Sequence, residues 1–223
     1  MSRNAFLVTL LATFFAVGLF NRDPELDLRV ARMFFDNGFM GASDEARAAR
    51  SFFYGLPLVV CVGFVVARWL GPGRLPPALI PSSKAIIFLT LSMAIGPGLI
   101  VNLGLKDNWH RPRPVHVKEF GGPWEFRPAF ARDGECQKNC SFVSGEASSA
   151  FWLVAPASLA PGPYKIPAMA AALGVGVATS ALRMAFGGHF LSDVVFAALF
   201  TLLLLQIMHG LIFTGLRGAP ARL

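Results

Sequence analysis

AIIFLTLSMAIGPGLIVNLGL, residues 85–105, runs straight into KDNWHRPRP, residues 106–114. The first segment has the ~20 apolar residues that a bilayer crossing needs and carries no charge. The second puts Lys106, His110, Arg111 and Arg113 within nine residues. Such a cluster at the mouth of a membrane span is costly unless an anion sits there. Pro112 and Pro114 forbid a helix and favour an extended or polyproline path. The guanidiniums therefore stand on a stiff backbone, and Arg suits two-pronged contact with phosphate oxygens. The bland alternative is a basic flank that only anchors a helix end.

Composition points the same way. At 223 residues the chain is one domain, 1–223. It is 54% hydrophobic and 15% charged, the balance of an integral membrane protein. The net charge of +7 is not gathered on a soluble module, so no nucleic-acid partner is expected. The bilayer is the expected surrounding, and no protein partner is indicated.

Six apolar stretches stand out: Ala5–Phe20, Phe52–Trp69, Ala85–Leu105, Ser148–Ala160, Ile166–Leu182 and Phe190–Phe213. They predict an all-α bundle of six transmembrane helices. The fourth is short, and its leading Ser and Ala residues suit close helix packing rather than lipid contact. Ala5–Phe20 reads as a span or as a signal peptide with Ala16-Val17-Gly18 as a poor cleavage site. With the N-terminus in the cytoplasm, the inner segments hold Arg3, Arg68, Arg74, Lys84, Lys165, Arg217 and Arg222 and no acid. The outer segments hold all thirteen Asp and Glu. This is the positive-inside pattern.

Two outer segments have structure of their own. In Asn21–Arg50, Asp23-Pro24-Glu25 starts a short amphipathic helix with Leu26, Val30, Met33 and Phe34 on one face, ending at Asn37-Gly38. It lies on the membrane surface or packs on the bundle top. Ser43-Asp44-Glu45 caps a helix running into the second span, which Pro57 is placed to kink. The loop Val115–Val143 is too polar to cross and carries Phe120, Trp124, Phe126 and Phe130, as an interfacial belt or as a lid over a lipid. Cys136 and Cys140 read as a disulfide that fixes the backbone entering Ser144, with a metal pair as the alternative. Cys61, in mid-span, reads as a buried small apolar residue.

Ser144-Gly145-Glu146 opens the fourth stretch with a small residue, a glycine and free backbone N–H groups for an anion. Between the fifth and sixth stretches lies RMAFGGHFLSD, residues 183–193. A helix beginning near Gly188 puts His189 and Asp193 one turn apart on one face. The acid then fixes the imidazole tautomer and leaves the other nitrogen free to attack. In the six-span topology all three clusters emerge on the outer face. Lys106, Arg113, Glu146, Arg183 and His189 are thereby expected in one layer, and phosphate chemistry follows.

Lys106 with Arg113-Pro114 seven and eight residues on, then Ser144-Gly145, then Arg183 with His189 and Asp193, resembles the three signature motifs of the type-2 phosphatidic acid phosphatase superfamily. The motif-bearing part is 106–193. The resemblance implies a six-span lipid phosphatase needing neither metal nor cofactor. His189 would attack phosphorus, Asp193 would orient it, and Lys106, Arg113, Ser144, Gly145 and Arg183 would hold the phosphate oxygens. Two positions depart from the family pattern. Glu146 stands where a proton-donating His is usual, and Leu182 where a Ser usually precedes the Arg. Either Glu146 donates the proton, or it pairs with Arg111 while His110 donates.

The leading expectation is a lipid phosphate phosphatase in a bacterial inner membrane, its active site facing the periplasm. Lipid A phosphate, undecaprenyl pyrophosphate, phosphatidylglycerol phosphate and phosphatidate are the candidate substrates, and the aromatic, basic outer loop inclines towards lipid A. A catalytically weak relative that binds or moves phospholipid, and a lipid phosphotransferase, are the alternatives.

Overall fold

The computed structural model describes residues 2–77 and 80–214, so Arg217 and Arg222 lie outside it. Among the described residues the chain is helical, with a few isolated bridges. Helix α1 is Arg3–Arg22, α2 Leu26–Arg32, α3 Asp44–Leu70 and α4 Ser83–Met93, which continues as a π-helix over Ala94–Leu105. Then come α5 Gly145–Phe151, α6 Val154–Ser158, α7 Gly162–Ala185 and α8 Leu191–His209.

Among the described residues five helices are long and apolar enough to cross a membrane: Arg3–Arg22, Asp44–Leu70, Ser83–Asn102, Gly162–Ala185 and Leu191–Thr214. The fourth expected span, Ser148–Ala160, is not a long helix. It is divided between α5 and α6, and most of its side chains are buried inside the bundle. Pro156 explains the break. It has no N–H to give the Trp152 carbonyl four residues back, and its ring crowds that group. The chain tightens there, with the Ala155 N–H donating to Trp152 at 2.7 Å. Small residues let the short helices lie against their neighbours: a Cβ on Gly176 of α7 would come within 2.5 Å of the Phe151 ring. Their polar groups are matched inside the bundle. Ser148 and Thr201 hydroxyls meet at 2.7 Å, and the Trp152 indole donates to Ser92 Oγ at 2.9 Å.

The long helices are stopped by local chemistry. Ser43 and Ser82 accept from the N–H groups of Ala46 and Ala85 and so cap α3 and α4. Gly71, at φ +70, ends α3. Pro57 sits inside α3 without ending it. Pro97 interrupts the ladder of α4, and its carbonyl accepts from Asn102 Nδ2 at 2.7 Å. The wider π winding carries on to Lys106, whose N–H reaches back five residues to Val101. Outward-facing Val8, Leu11, Phe14 and Phe15 on α1, and Phe52, Leu58, Val59 and Trp69 on α3, form the large exposed apolar surface that a bilayer covers.

Segments 23–43 and 115–143 pack together as a head on one end of the bundle. Helix α2 ends at Arg32, earlier than expected, and rests on the bundle with Asp27, Leu28 and Ala31 buried. Asn37 and Gly38 instead turn the loop that follows, with Asn37 at φ +51. Phe120 packs with Phe35 and Phe39, Phe126 with Phe190, and Phe130 with Phe142 and Phe196. Trp124 lies edge-on to His116. All of these rings except Trp124 and His116 belong to the apolar clusters of the head.

Candidate active site

Four segments meet at the head end of the bundle. The end of α4 delivers Lys106, the extended Arg111–Pro114 strap delivers Arg113, α7 delivers Arg183 in its last turn, and the link to α8 delivers His189. Segment 136–141 runs beside 106–111. Cys140 N–H donates to the Lys106 carbonyl at 3.1 Å, Ser141 N–H to Arg111 at 2.9 Å, and Cys136 N–H to His110 at 3.3 Å.

Cys136 and Cys140 form a disulfide. The loop it closes presents Asn139 at φ +53. Arg113 donates to both Asn139 oxygens, at 2.9 Å each, and Lys106 Nζ lies 3.4 Å from Oδ1. The bridge therefore steadies the residue that holds two of the cations, as well as the approach to Ser144.

Lys106 also lies over the start of α5. A Cβ at Gly145 would come 2.7 Å from Asn102 Oδ1 and 3.2 Å from Lys106 Nζ, so a residue without one stands there. Burial and the neighbouring charges of Arg113 and Arg183 pull Lys106 down to about 8. At Gly188 a Cβ would come 2.3 Å from Arg183 Nη2. Arg183 is itself buried, and its Nε has no hydrogen-bond partner among the described residues. Ser144 Oγ is committed to capping α5 through the Ala147 N–H.

His189 is 2% exposed and precedes α8 instead of lying on it, because that helix starts at Leu191. The expected His–Asp pairing is correspondingly altered. Nδ1 lies 2.7 Å from the Ser141 carbonyl and 3.7 Å from Asp193 Oδ2, too far for a hydrogen bond. A carbonyl can only accept, so it fixes the proton on Nδ1 and leaves Nε2 with the lone pair. Burial, with Arg183 and Arg113 adding to it against the pull of Asp193, takes the imidazole down to about 4.

Asp193 instead braces the loop. It accepts from Ser141 Oγ at 2.5 Å, from the Phe190 N–H at 2.8 Å and from Arg111 Nη1 at 2.5 Å. Arg111 is wholly buried, and its other branch donates to Asp27 at 2.7 Å. Asp27 also accepts from the N–H and hydroxyl of Ser192. Arg111 thus ties the head to the bundle and has no face left for a phosphate.

The Glu146–Arg111 pairing does not form. Glu146 is gripped at both oxygens by Arg50 of α3, at 2.6 and 3.0 Å, and lies 3.4 Å from Arg183 Nε. Burial would raise its pKa, but the Arg50 hydrogen bonds and the Arg183 charge outweigh it and hold the carboxyl below its ordinary value. The free protein therefore carries Glu146 as a carboxylate. His110, at φ +58, has its Nδ1 2.9 Å from the Cys136 carbonyl.

Sequence reading missed Arg50 and Asp27. Each had a signal: an Arg seven positions into a helix that turns apolar at once, and an Asp between two leucines. A lone charge on an apolar face needs a partner.

Three cations and a neutral imidazole, all partly or wholly withdrawn from water, are chemically suited to a tetrahedral anion. The sequence profile of the PAP2 superfamily matches residues 85–216, which include every one of these groups except Arg50 and Asp27. The chain belongs to the PAP2 superfamily. Relatives of this PAP2 protein include a lipid A 4'-phosphatase of Francisella tularensis subsp. novicida (strain U112), 36% identical over 96% of this chain and 98% of that one. A lipid A 4'-phosphatase of Rhizobium leguminosarum is 33% identical over 87% of this chain and 91% of its own. One from Rhizobium etli is 42% identical over half of this chain. No solved structure matches. The PAP2 chain is accordingly a phosphatase, built on helices that suit a membrane.

Proposed function

We propose that this protein is a lipid phosphatase of a bacterial inner membrane that removes phosphate from lipid A at the periplasmic face, through a phosphohistidine. His189 carries the chemistry of this reading: a buried, neutral imidazole with Nδ1 bound to the Ser141 carbonyl, beside Lys106, Arg113 and Arg183. The lipid A reading is supported by the full-length relatives, and the 4'-phosphate is taken from their names. The periplasmic reading is supported by Arg68, Lys84 and Lys165, which lie on helix ends away from the site.

In the proposed reaction the phosphate displaces Asn139 oxygens from Arg113 and Lys106 and takes contacts from Arg183. Its negative charge, and the weakened grip of Arg183 on Glu146, raise the Glu146 pKa. The proton of the bound phosphate monoanion passes to Glu146. His189 Nε2 then attacks phosphorus, the bond to the leaving oxygen breaks, and Glu146 returns the proton to that oxygen. In the second half a water attacks the phosphohistidine while the Glu146 carboxylate takes its proton, and the N–P bond breaks. Glu146 then passes that proton to the inorganic phosphate, which leaves as the monoanion and restores the carboxylate. Asp193 acts here as a positioning residue, bracing Ser141 and Phe190 on either side of the imidazole.

Phosphate release from lipid A in detergent micelles, with chelator present, tests the reading. Wild type should turn over and His189→Ala should not. In Glu146→Gln, loss should be confined to poor leaving groups such as a sugar hydroxyl and should spare aryl phosphates. If His110→Ala shows that selectivity instead, the proton comes from His110.

A further inference from the structure

A cavity of about 350 Å³, walled by Phe35, Phe39, Val115, Phe120 and Phe186, lies along the segments that carry Arg113 and Arg183. We propose that it holds the sugar ring bearing the scissile phosphate, and so selects phosphorylated pyranose lipids over phosphorylated glycerolipids. This rests on the lipid A reading above and adds to it the subsite for the leaving group.

Position is the first argument. Val115 follows Arg113 by two residues, and Phe186 follows Arg183 by three. The Val115 N–H donates to the Gly187 carbonyl at 3.0 Å, which locks the two phosphate-binding segments together along the cavity wall. Arg50 spans the boundary. Its guanidinium carbon lies 5.5 Å from the centre of the Phe186 ring while its nitrogens grip Glu146. A group covalently attached to a phosphate held by Lys106, Arg113 and Arg183 has this cavity as its neighbour.

The second argument is that the cavity is built. Loop 35–42 is seated on the 186–187 turn by two glycines. A Cβ at Gly41 would strike the Phe186 ring at 2.7 Å, and one at Gly187, where φ is +60, would strike Phe39 at 2.4 Å. Phe35, Phe39 and Phe120 pack mutually at 5.2–5.3 Å between ring centres. The aromatic walls are therefore fixed by their own packing before any ligand arrives.

Chemistry is the third. Phenyl faces carry negative charge density, and the ring C–H groups of a pyranose present a complementary flat surface. Asn37, exposed on the rim, offers an amide to a hydroxyl. The volume is at the lower end for ligand sites and suits one ring. A glycerol backbone presents no flat face to such walls.

The test compares wild type, Phe39→Ala and Val115→Trp on two substrates in the same micelles: a 4'-phosphorylated glucosamine lipid and dioleoyl phosphatidate. Val115 is 44% exposed, so a larger side chain there fills the cavity mouth without entering the core. Both variants should lose about tenfold or more in kcat/KM on the glucosamine lipid relative to phosphatidate, chiefly through KM. The Ki for inorganic phosphate should stay at the wild-type value. Equal losses on both substrates, no loss on either, or a raised Ki for phosphate would overturn the pocket assignment while leaving lipid A turnover in place. A wild-type enzyme that hydrolyses phosphatidate but not the glucosamine lipid would remove the lipid A reading, and this proposal with it.

Discussion

Lys106 and His189 have ionisations displaced in ways that set opposite limits on activity. The imidazole, lowered to about 4, is neutral and able to attack at any pH above that value. The ammonium, lowered to about 8, is a cation below that value and neutral above it. kcat/KM reports the free enzyme. It should fall as pH drops through about 4, where His189 gains a proton, and as pH rises through about 8, where Lys106 loses one. Arg stays charged in this range, so Lys106→Arg should move the alkaline limb upward and leave the acid limb where it is. Dividing the variant's profile by that of wild type removes the ionisation of the substrate. An alkaline limb that stays put in Lys106→Arg assigns it to another group.

Elements are joined by pairs of side chains that lie far apart in sequence. Arg111 fastens the strap to α2 through Asp27 and to α8 through Asp193, all three buried. The unequal charge makes the arginine the critical member. Arg111→Leu leaves two carboxylates buried without a counter-charge, and should cost about 3–5 kcal/mol. Asp27→Asn keeps the Arg111–Asp193 pair and removes only some charge-assisted hydrogen bonds, for about 1–3 kcal/mol. Chemical unfolding in detergent measures both, and a smaller loss for Arg111→Leu than for Asp27→Asn would refute this ranking. The broken α5–α6 pair shows the same dependence on partners. Twelve helical residues are held in the interior because Ser148, Trp152 and the surrounding small residues meet donors and shapes supplied by other helices.

Across the whole molecule, the described Lys and Arg at the far end face no acid, while the head carries both signs. That asymmetry predicts which end is outside. In right-side-out spheroplasts, a Cys placed at Asp36 should react with an impermeant maleimide, and one placed at Lys165 should react only after permeabilisation. The reverse pattern would put the active site in the cytoplasm. Much of this organisation was legible along the chain, because spans announce themselves by apolar length and Lys106, Arg113, Arg183 and His189 by their spacing. These are local properties, set by ~20-residue hydropathy and by backbone stiffness near proline. What depends on partners remote in sequence was decided only by packing: Glu146 gripped by Arg50 rather than Arg111, His189 bound at Nδ1 by the Ser141 carbonyl with Asp193 bracing that segment, and Phe120, Phe126 and Phe130 packed into the head. Each buried polar group takes whichever partner the fold brings within about 3 Å, and that distance is written nowhere in the order of the residues.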